Sequence, residues 1–248
     1  MKIVKIEKLK NGKYKLNFED DSIITYDEVI LKYNLLFKNN IDSNMYNKII
    51  EENRYYDIYC DCEKYSLKKR RSEKEIYNYL IKKEINNNTI NSIISKLKNI
   101  NLINDREYAN AFINDKILLS DIGINKIKEE LIKNNIDESI INEELSKIDT
   151  TIFDSKLKKI VLKKVKSNKK YSSSNFKNKL LNELILKGYN KDSILQELEH
   201  YQFDDIPFLE KEYNKLKNKY ENSKIIQKLL SKGFRYDDIL NIIKTEGE

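Results

Sequence analysis

The chain has 248 residues, of which 40% are hydrophobic and 35% are charged, and its net charge is +7. Because the charged fraction exceeds the roughly 25% of an average globular domain, we expect small cores with much surface around them. Five glycines, one proline and no tryptophan leave little of the turn chemistry that a β-sandwich or a glycine-rich phosphate loop requires. The composition therefore predicts a mainly α-helical protein and disfavours both of those classes.

Residue types that build catalytic and metal sites are scarce. Cys60 and Cys62 are the only cysteines, and His200 is the only histidine. This set favours neither a stapling disulfide nor a structural zinc site, so we expect two free thiols in a reducing compartment. No P-loop motif and no run of about 18 apolar residues occurs in the sequence. We therefore predict a cytoplasmic protein that is not an enzyme, needs no cofactor or metal and contacts no membrane.

Residues 1–42 differ in pattern from the rest of the chain. Tyr14, Leu16 and Phe18 alternate with polar residues, and Asn11-Gly12 suits a tight hairpin turn. This pattern predicts a small β-meander closed by residues 22–26. A short helix ending at residues 35–37 should follow, and Ser43 is predicted to cap the next helix.

The rest of the chain contains an internal repeat. The segments LILKGYNKDSIL at 184–195 and LLSKGFRYDDIL at 229–240 agree at half of their positions, and earlier segments fit the same frame. The aligned anchors are Ile85, Ile136, Tyr189 and Phe234, separated by 51, 53 and 45 residues. Since about fifty residues hold three short helices, we predict tandem three-helix repeats in an elongated curved array. The predicted units are 43–104, 105–153, a lysine-rich 154–205 and 206–248, after the separate segment 1–42.

Capping patterns mark helix ends inside these units. Ser72 with Glu75 has the pattern of a capping box, in which each side chain satisfies a free backbone amide of the first turn. Gly188 and Gly233 stand where a helix needs a left-handed closing residue, which glycine adopts without a Cβ penalty. These patterns predict a helix start at Ser72 and helix ends just before the two glycines.

Positive charge is concentrated in two places. Residues 156–187 contain eleven lysines and one acid, so this stretch carries +10 against +7 for the whole chain. A second cluster directly precedes Ser72. A solvated lysine-rich face and a binding surface are equally good interpretations of this pattern. The candidate binding residues are Lys68, Lys69, Arg70, Arg71, Lys163, Lys164, Lys166, Lys169, Lys170, Lys177 and Lys179.

Three-helix units with a tight second turn invite comparison with the helix-turn-helix, whose recognition helix enters the major groove. The third helices of these units carry acidic residues, for example Glu143 and Glu144. Phosphates repel such helices, so the sequence disfavours sequence-specific reading of duplex DNA.

Three ordered motifs resemble those of the RecX family of regulatory proteins. They are KRRSEKEI at 69–76, LINDREYANAF at 102–112 and GINKIKEEL at 123–131. The resemblance extends from about Tyr55 to the C-terminus, and the lysine-glycine-aromatic repeats and the β-rich N-terminal segment resemble the longer Gram-positive members. The chain departs from the family at Glu84 and Asn135, where the early units usually carry glycine. Glutamate adopts the left-handed conformation poorly, which puts the turn of the first unit at variance with the others.

The resemblance implies a cytoplasmic, non-enzymatic modulator of the RecA recombinase. Such a protein binds along the RecA filament on single-stranded DNA and limits its ATP hydrolysis, strand exchange and co-protease activity. We expect a monomer whose partners are the RecA filament and single-stranded DNA, contacted directly or through the filament. The alternative is a sequence-tolerant helical nucleic-acid-binding protein without a recombinase partner, in which the lysine-rich third unit makes the contact.

Overall fold

The structure, a computed structural model, describes residues 1–9, 12–168 and 171–245. This part of the chain folds into a three-stranded antiparallel sheet followed by α-helices, which confirms the predicted mainly helical fold with a small β-rich N-terminal segment. The strands are β1 (Ile3–Lys8), β2 (Lys13–Phe18) and β3 (Ser22–Tyr26). The helices are α1 (Asp27–Lys32), a 3-10 helix (Leu35–Phe37), α2 (Ser43–Leu67), α3 (Glu73–Ile81), α4 (Asn87–Asn99), α5 (Asp105–Leu119), α6 (Ile124–Lys133), α7 (Glu138–Ser146), α8 (Thr151–Ser167), α9 (Ser173–Leu186), α10 (Lys191–Glu199), α11 (Ile206–Leu216), α12 (Asn222–Ser231) and α13 (Tyr236–Thr245).

The sheet has the order β1-β2-β3, with Leu16 paired to Ile6 on one side and to Ile23 on the other. The alternation along β2 buries Leu16 and Phe18, as the sequence pattern predicts. In the predicted hairpin turn, Gly12 has φ +73°, while Asn11 lies outside the described residues.

Two predicted boundaries in this region are wrong. The short helix does not continue to residues 35–37, because α1 ends at Lys32 and Asn34 adopts a left-handed φ of 53° before a separate 3-10 helix begins. The cap of α2 is Asp42, not Ser43, since the Asp42 carboxylate accepts a hydrogen bond from the Met45 amide at 2.7 Å.

Helix α2 contributes to two hydrophobic cores. Near its start, Ile49 packs with the sheet residues and α1. Further along, Tyr59 and Cys62 pack with residues of α3 and α4. The core of the N-terminal segment therefore extends into α2, beyond the predicted boundary after residue 42.

From α2 onward we group the helices in chain order into sets of three, called triples below: α2 to α4, α5 to α7, α8 to α10 and α11 to α13. The second helix of each triple ends in the same turn. The closing residues Glu84, Asn135, Gly188 and Gly233 all have φ between 60° and 85°. The next residue donates its amide to a carbonyl five positions earlier, the hydrogen bond of a Schellman motif. These bonds confirm the alignment of the four anchors and are Ile85 to Leu80 (3.3 Å), Ile136 to Leu131 (3.2 Å), Tyr189 to Leu184 (3.0 Å) and Phe234 to Leu229 (3.2 Å).

The chain divides into two compact units, Met1–Tyr108 and Ala109–Glu248. The finer division into one N-terminal segment and four three-helix units stays a prediction. Separate hydrophobic cores do form around α2 to α4, around α8 to α10 and around α11 to α13.

Within the unit Ala109–Glu248, second helices of successive triples meet end to end. The amide of Gly123, which caps the start of α6, donates to the Lys187 carbonyl at the end of α9 at 2.8 Å. The Ser172 hydroxyl, which caps the start of α9, donates to the Lys232 carbonyl at the end of α12 at 2.8 Å. Where these helix ends meet, carbonyls left free at the end of one helix thus accept hydrogen bonds from donors at the start of another.

Candidate functional site

The first basic junction is the link between α2 and α3, with Lys68, Lys69, Arg70 and Arg71. Lys69 lies 3.4 Å from the Glu75 carboxylate, and Arg70 pairs with Glu107. The Arg70 guanidinium holds the pKa of Glu107 below its usual value. Lys68 is exposed and forms no ion pair with any described residue. Much of the positive charge predicted here is therefore already paired within the protein.

Arg71 is held inside the fold rather than presented to solvent. Its side chain is only 13% exposed, and its guanidinium carbon lies 4.0 Å from the centre of the Tyr65 ring. Tyr65 in turn stacks on Tyr79 with ring centres 4.1 Å apart. Arg71 also pairs with Glu75 at 3.1 Å. Arg71 thus connects α2 and α3, because it contacts Tyr65 of the first helix and Glu75 of the second.

The predicted capping box is present at the start of α3. The Glu75 amide donates to the Ser72 hydroxyl, and the Ser72 amide donates to the Glu75 carboxylate, both at 3.2 Å. Glu75 therefore caps the helix and also neutralises Lys69 and Arg71. Because this carboxylate is shared, the start of α3 and the first basic junction depend on each other.

In each basic junction, an aspartate from the next triple accepts hydrogen bonds from the first residue of the second helix. The Glu73 amide donates to Asp105 at 3.0 Å, and burial raises the pKa of Asp105. In the equivalent place, the Ser173 amide and hydroxyl donate to Asp205 at 2.6 and 2.7 Å. The two links between first and second helices are thus built from the same local contacts.

A small cavity of about 270 Å³ adjoins the first basic junction. Its lining combines Lys69, Arg70 and Arg71 with Glu107 and with apolar residues such as Leu102. Because Glu75 and Glu107 already pair with these three cations, the cavity does not present free positive charge to a ligand.

The second basic junction is the link between α8 and α9, for which the sequence predicts Lys163, Lys164, Lys166, Lys169, Lys170, Lys177 and Lys179. Lys169 and Lys170 lie outside the described residues. Lys164 donates to Glu183 at 2.8 Å, which lowers the pKa of Glu183. Lys179 lies 3.6 Å from the centre of the Tyr171 ring, and both Lys164 and Lys179 line one cavity of about 250 Å³.

The other lysines of the second junction point elsewhere. Lys163 lines a different groove, between the end of α5 and α8. Lys177 lies 4.7 Å from the centre of the Phe203 ring. Lys166 is exposed and, like Lys163, forms no ion pair with any described residue. The structure therefore brings Lys164 and Lys179 together but not the whole set.

One lysine of the lysine-rich stretch has a structural role that is not apparent from the sequence. Lys156 donates to the backbone carbonyls of Ile117 and Ser120, the latter at 2.7 Å, and so caps the end of α5. Its partners are backbone atoms more than thirty residues away, and backbone carbonyls carry no sequence signature.

The third helices are less uniformly solvated than their acidic sequences suggest. Glu144 is buried, and its carboxylate accepts hydrogen bonds from Asn110 at 3.0 Å and Lys147 at 2.6 Å. This acid stabilises the packing of α7 on α5 instead of facing a partner.

The two cysteines and the single histidine lie outside the residue ranges of both basic junctions. Cys60 and Cys62 are free thiols, and burial raises the pKa of Cys62 to about 11, which keeps it protonated. His200 follows the last turn of α10. Over residues 1–9, 12–168 and 171–245, no cluster of potential metal ligands occurs. Nor does any helix in that part have the length and apolar character needed to cross a membrane.

Comparisons with known proteins give a consistent result. A family model described as RecX, second three-helix domain, matches residues 104–145, which include α5, α6 and most of α7. The regulatory protein RecX of Streptococcus gordonii is 30% identical over 98% of this chain and 99% of its own length. That of Lactococcus lactis is 31% identical over 98% of this chain and 97% of its own length.

Solved structures extend the comparison to the fold. A crystal structure of regulatory protein RecX covers 81% of this chain and 99% of its own chain, with a TM-score of 0.73 at 22% identity. The crystal structure of RecX from Lactobacillus salivarius covers 59% of this chain and 97% of its own, with a TM-score of 0.53 at 29% identity. Over the parts of this chain that they cover, these structures therefore share its fold.

Proposed function

This chain belongs to the RecX family of regulatory proteins, and from this membership we propose that it is a non-enzymatic cytoplasmic regulator of the RecA recombinase. In this proposal a monomer binds the RecA filament on single-stranded DNA. Binding lowers ATP hydrolysis, strand exchange and co-protease activity. The observation that carries the proposal is similarity to regulatory RecX proteins over nearly the whole length of both chains.

We assign the electrostatic part of this contact to the two basic junctions. Their architecture is repeated, since each links a first helix to a capped second helix and is braced by an aspartate from the next triple. Lys68, Lys163 and Lys166 are exposed and form no ion pair with described residues, so their charge is available to phosphates or to acidic protein surface. Arg70, Arg71 and Lys164 act mainly through internal pairs that shape the junctions.

A titration of RecA ATPase activity tests this function. We expect the purified chain to reduce ATP hydrolysis by its cognate RecA on single-stranded DNA at or below one molecule per RecA protomer. Co-sedimentation with the same filaments should show binding over the same concentration range. An unchanged ATPase rate together with no filament binding would disprove the proposal.

A second candidate function is sequence-tolerant binding of nucleic acid without a recombinase partner. The net charge of +10 over residues 156–187 favours it, because phosphate contacts by lysine supply most non-specific affinity. This function predicts that the chain binds RecA-coated DNA no more tightly than bare single-stranded DNA, because RecA covers part of the strand. The proposed function predicts a clear preference for the RecA-coated strand.

A further inference from the structure

A groove between the end of α5 and α8 combines exposed aliphatic side chains in one place. Its volume is about 390 Å³. Leu118 and Leu119, which line it, are 79% and 84% exposed, and Ile160 lines the same groove. Single exposed leucines are common on protein surfaces and need no explanation. Two adjacent leucines and a third aliphatic residue in the lining of one groove are a local concentration of apolar side chains.

The walls of this groove are fixed by interactions that do not involve the exposed leucines. Lys156 caps the end of α5 through the carbonyls of Ile117 and Ser120, and the Ser120 hydroxyl donates to the Lys116 carbonyl at 2.6 Å. On the other wall, Ile160 packs against the core of α8 to α10. The backbone of both walls is therefore held in place before a partner binds, which reduces the entropy lost on binding.

Lysines also line the groove. Lys159 and Lys163 lie one helical turn apart on α8, line the groove and form no ion pair with any described residue. Lys156 also lines it, and Asp121 is the one acid among the lining residues that the structure describes. A lining that combines aliphatic side chains with a net positive charge complements a ligand that carries both an aliphatic group and negative charge.

We propose that this groove binds an acidic protein segment that inserts an aliphatic side chain between Leu118, Leu119 and Ile160. A protein segment fits better than a nucleic acid, because bases bind by stacking on aromatic rings and no aromatic residue is among the described lining residues. The inference rests on the proposed function, since the segment is assigned to the RecA filament. The groove would supply the apolar part of a contact whose electrostatic part includes both the basic junctions and the lysines that line the groove, and Lys163 belongs to both sets.

The test is the double variant Leu118→Ala with Leu119→Ala in the full chain, titrated into RecA on single-stranded DNA. We expect the concentration that half-suppresses ATP hydrolysis to rise at least about tenfold, because each leucine loses apolar contact with the partner. Circular dichroism and the melting temperature should stay unchanged, since both side chains are exposed in the free protein. The matched control is Leu186→Ala, a leucine 77% exposed at the end of α9 outside the groove, which should suppress like the wild type.

A charge variant tests the lining lysines separately. Lys159→Glu should weaken filament binding, whereas Lys158→Glu, an exposed neighbour that does not line the groove, should bind like the wild type. If the wild type suppresses RecA and the leucine variant does so equally well, the groove inference is wrong while the proposed function stands. If the leucine variant loses affinity for bare single-stranded DNA in step with filament binding, the groove binds nucleic acid and the inference is also wrong. A wild type without any effect on RecA overturns the proposed function and the assignment of the segment to RecA.

Discussion

Gly188 carries a requirement that no other residue type meets. Its φ is +85°, and a Cβ built on it would lie 2.2 Å from the backbone nitrogen of Lys126. Gly188→Ala therefore adds the left-handed strain of about 1 kcal/mol and also separates α9 from α6. We expect the free energy of unfolding to fall by more than about 2 kcal/mol, measured by urea denaturation.

Gly12 provides the matched control for this substitution. Its φ is +73°, but a Cβ there would have no atom within 4 Å. Gly12→Ala should thus cost only the backbone strain of about 1 kcal/mol. Equal losses of stability in the two variants would show that close packing at Gly188 is unimportant.

Residue roles were predictable where they depend on local conformation. The repeat predicts left-handed closing residues at Gly188 and Gly233, and the structure confirms both. Glu84 takes the same conformation at φ 60°, although glutamate is poorly suited to it, and the turn is closed by the hydrogen bond from the Ile85 amide to the Leu80 carbonyl. The internal role of Arg71 was not predictable, since it depends on Tyr65 and Tyr79 from two helices.

At the scale of elements, Ser172 caps the start of α9 and also links it to the end of α12. The Ser172 hydroxyl accepts from the Asn175 amide at 3.4 Å and donates to the Lys232 carbonyl at 2.8 Å. Ser172→Ala removes the cap and one of the two donors to the Lys232 carbonyl, the other being the side-chain amide of Asn175. We expect a loss of about 2 kcal/mol in the free energy of unfolding, about 1 for the cap and about 1 for the second hydrogen bond.

A simpler cap in the same compact unit calibrates this prediction. Asn190 caps α10 by accepting one hydrogen bond from the Asp192 amide at 2.7 Å and is exposed. Asn190→Ala should cost about 1 kcal/mol in the same denaturation experiment. A loss for Ser172→Ala no larger than this would contradict a role for Ser172 in joining α9 to α12.

The sequence indicates most elements because their signals are local. Alternation in β2, the capping box of α3 and the glycine turns each lie within a few residues, and all three are confirmed. The break between α1 and the 3-10 helix at Leu35–Phe37 was missed, because the apolar spacing continues through it while Asn34 turns the backbone. The groove beside α5 was also missed, since its two walls are some forty residues apart in the chain.

For the whole molecule, the sequence shows where positive charge is concentrated but not which charges are free. Glu75 and Glu107 lie outside the cluster of residues 68–71, yet they pair with three of its four cations. Glu183 similarly pairs with Lys164 and Lys187. The charge available to a partner is therefore smaller than the count of lysines suggests, and it is concentrated on the unpaired residues.

This difference predicts how binding depends on salt. If Lys163 and Lys166 contact phosphates, replacing both with glutamate should lower the slope of log affinity against log salt by about 1.4 on single-stranded DNA, about 0.7 for each lost contact. Fluorescence anisotropy in a KCl titration measures this slope. The control is Lys48→Glu with Lys191→Glu, two exposed lysines outside both junctions, which changes the net charge equally and should leave the slope nearly unchanged.

The same pair of variants separates phosphate contact from protein contact. If the junction lysines meet acidic surface on RecA, binding to bare single-stranded DNA is weak in the wild type, and Lys163→Glu with Lys166→Glu weakens only filament binding. Contacts with phosphates would instead change the salt slope on bare DNA and on the filament together. Behaviour identical to the Lys48 and Lys191 control in DNA binding, filament binding and ATPase suppression would show that these two lysines are only solvated surface charge, because charge reversal at a real contact replaces attraction with repulsion.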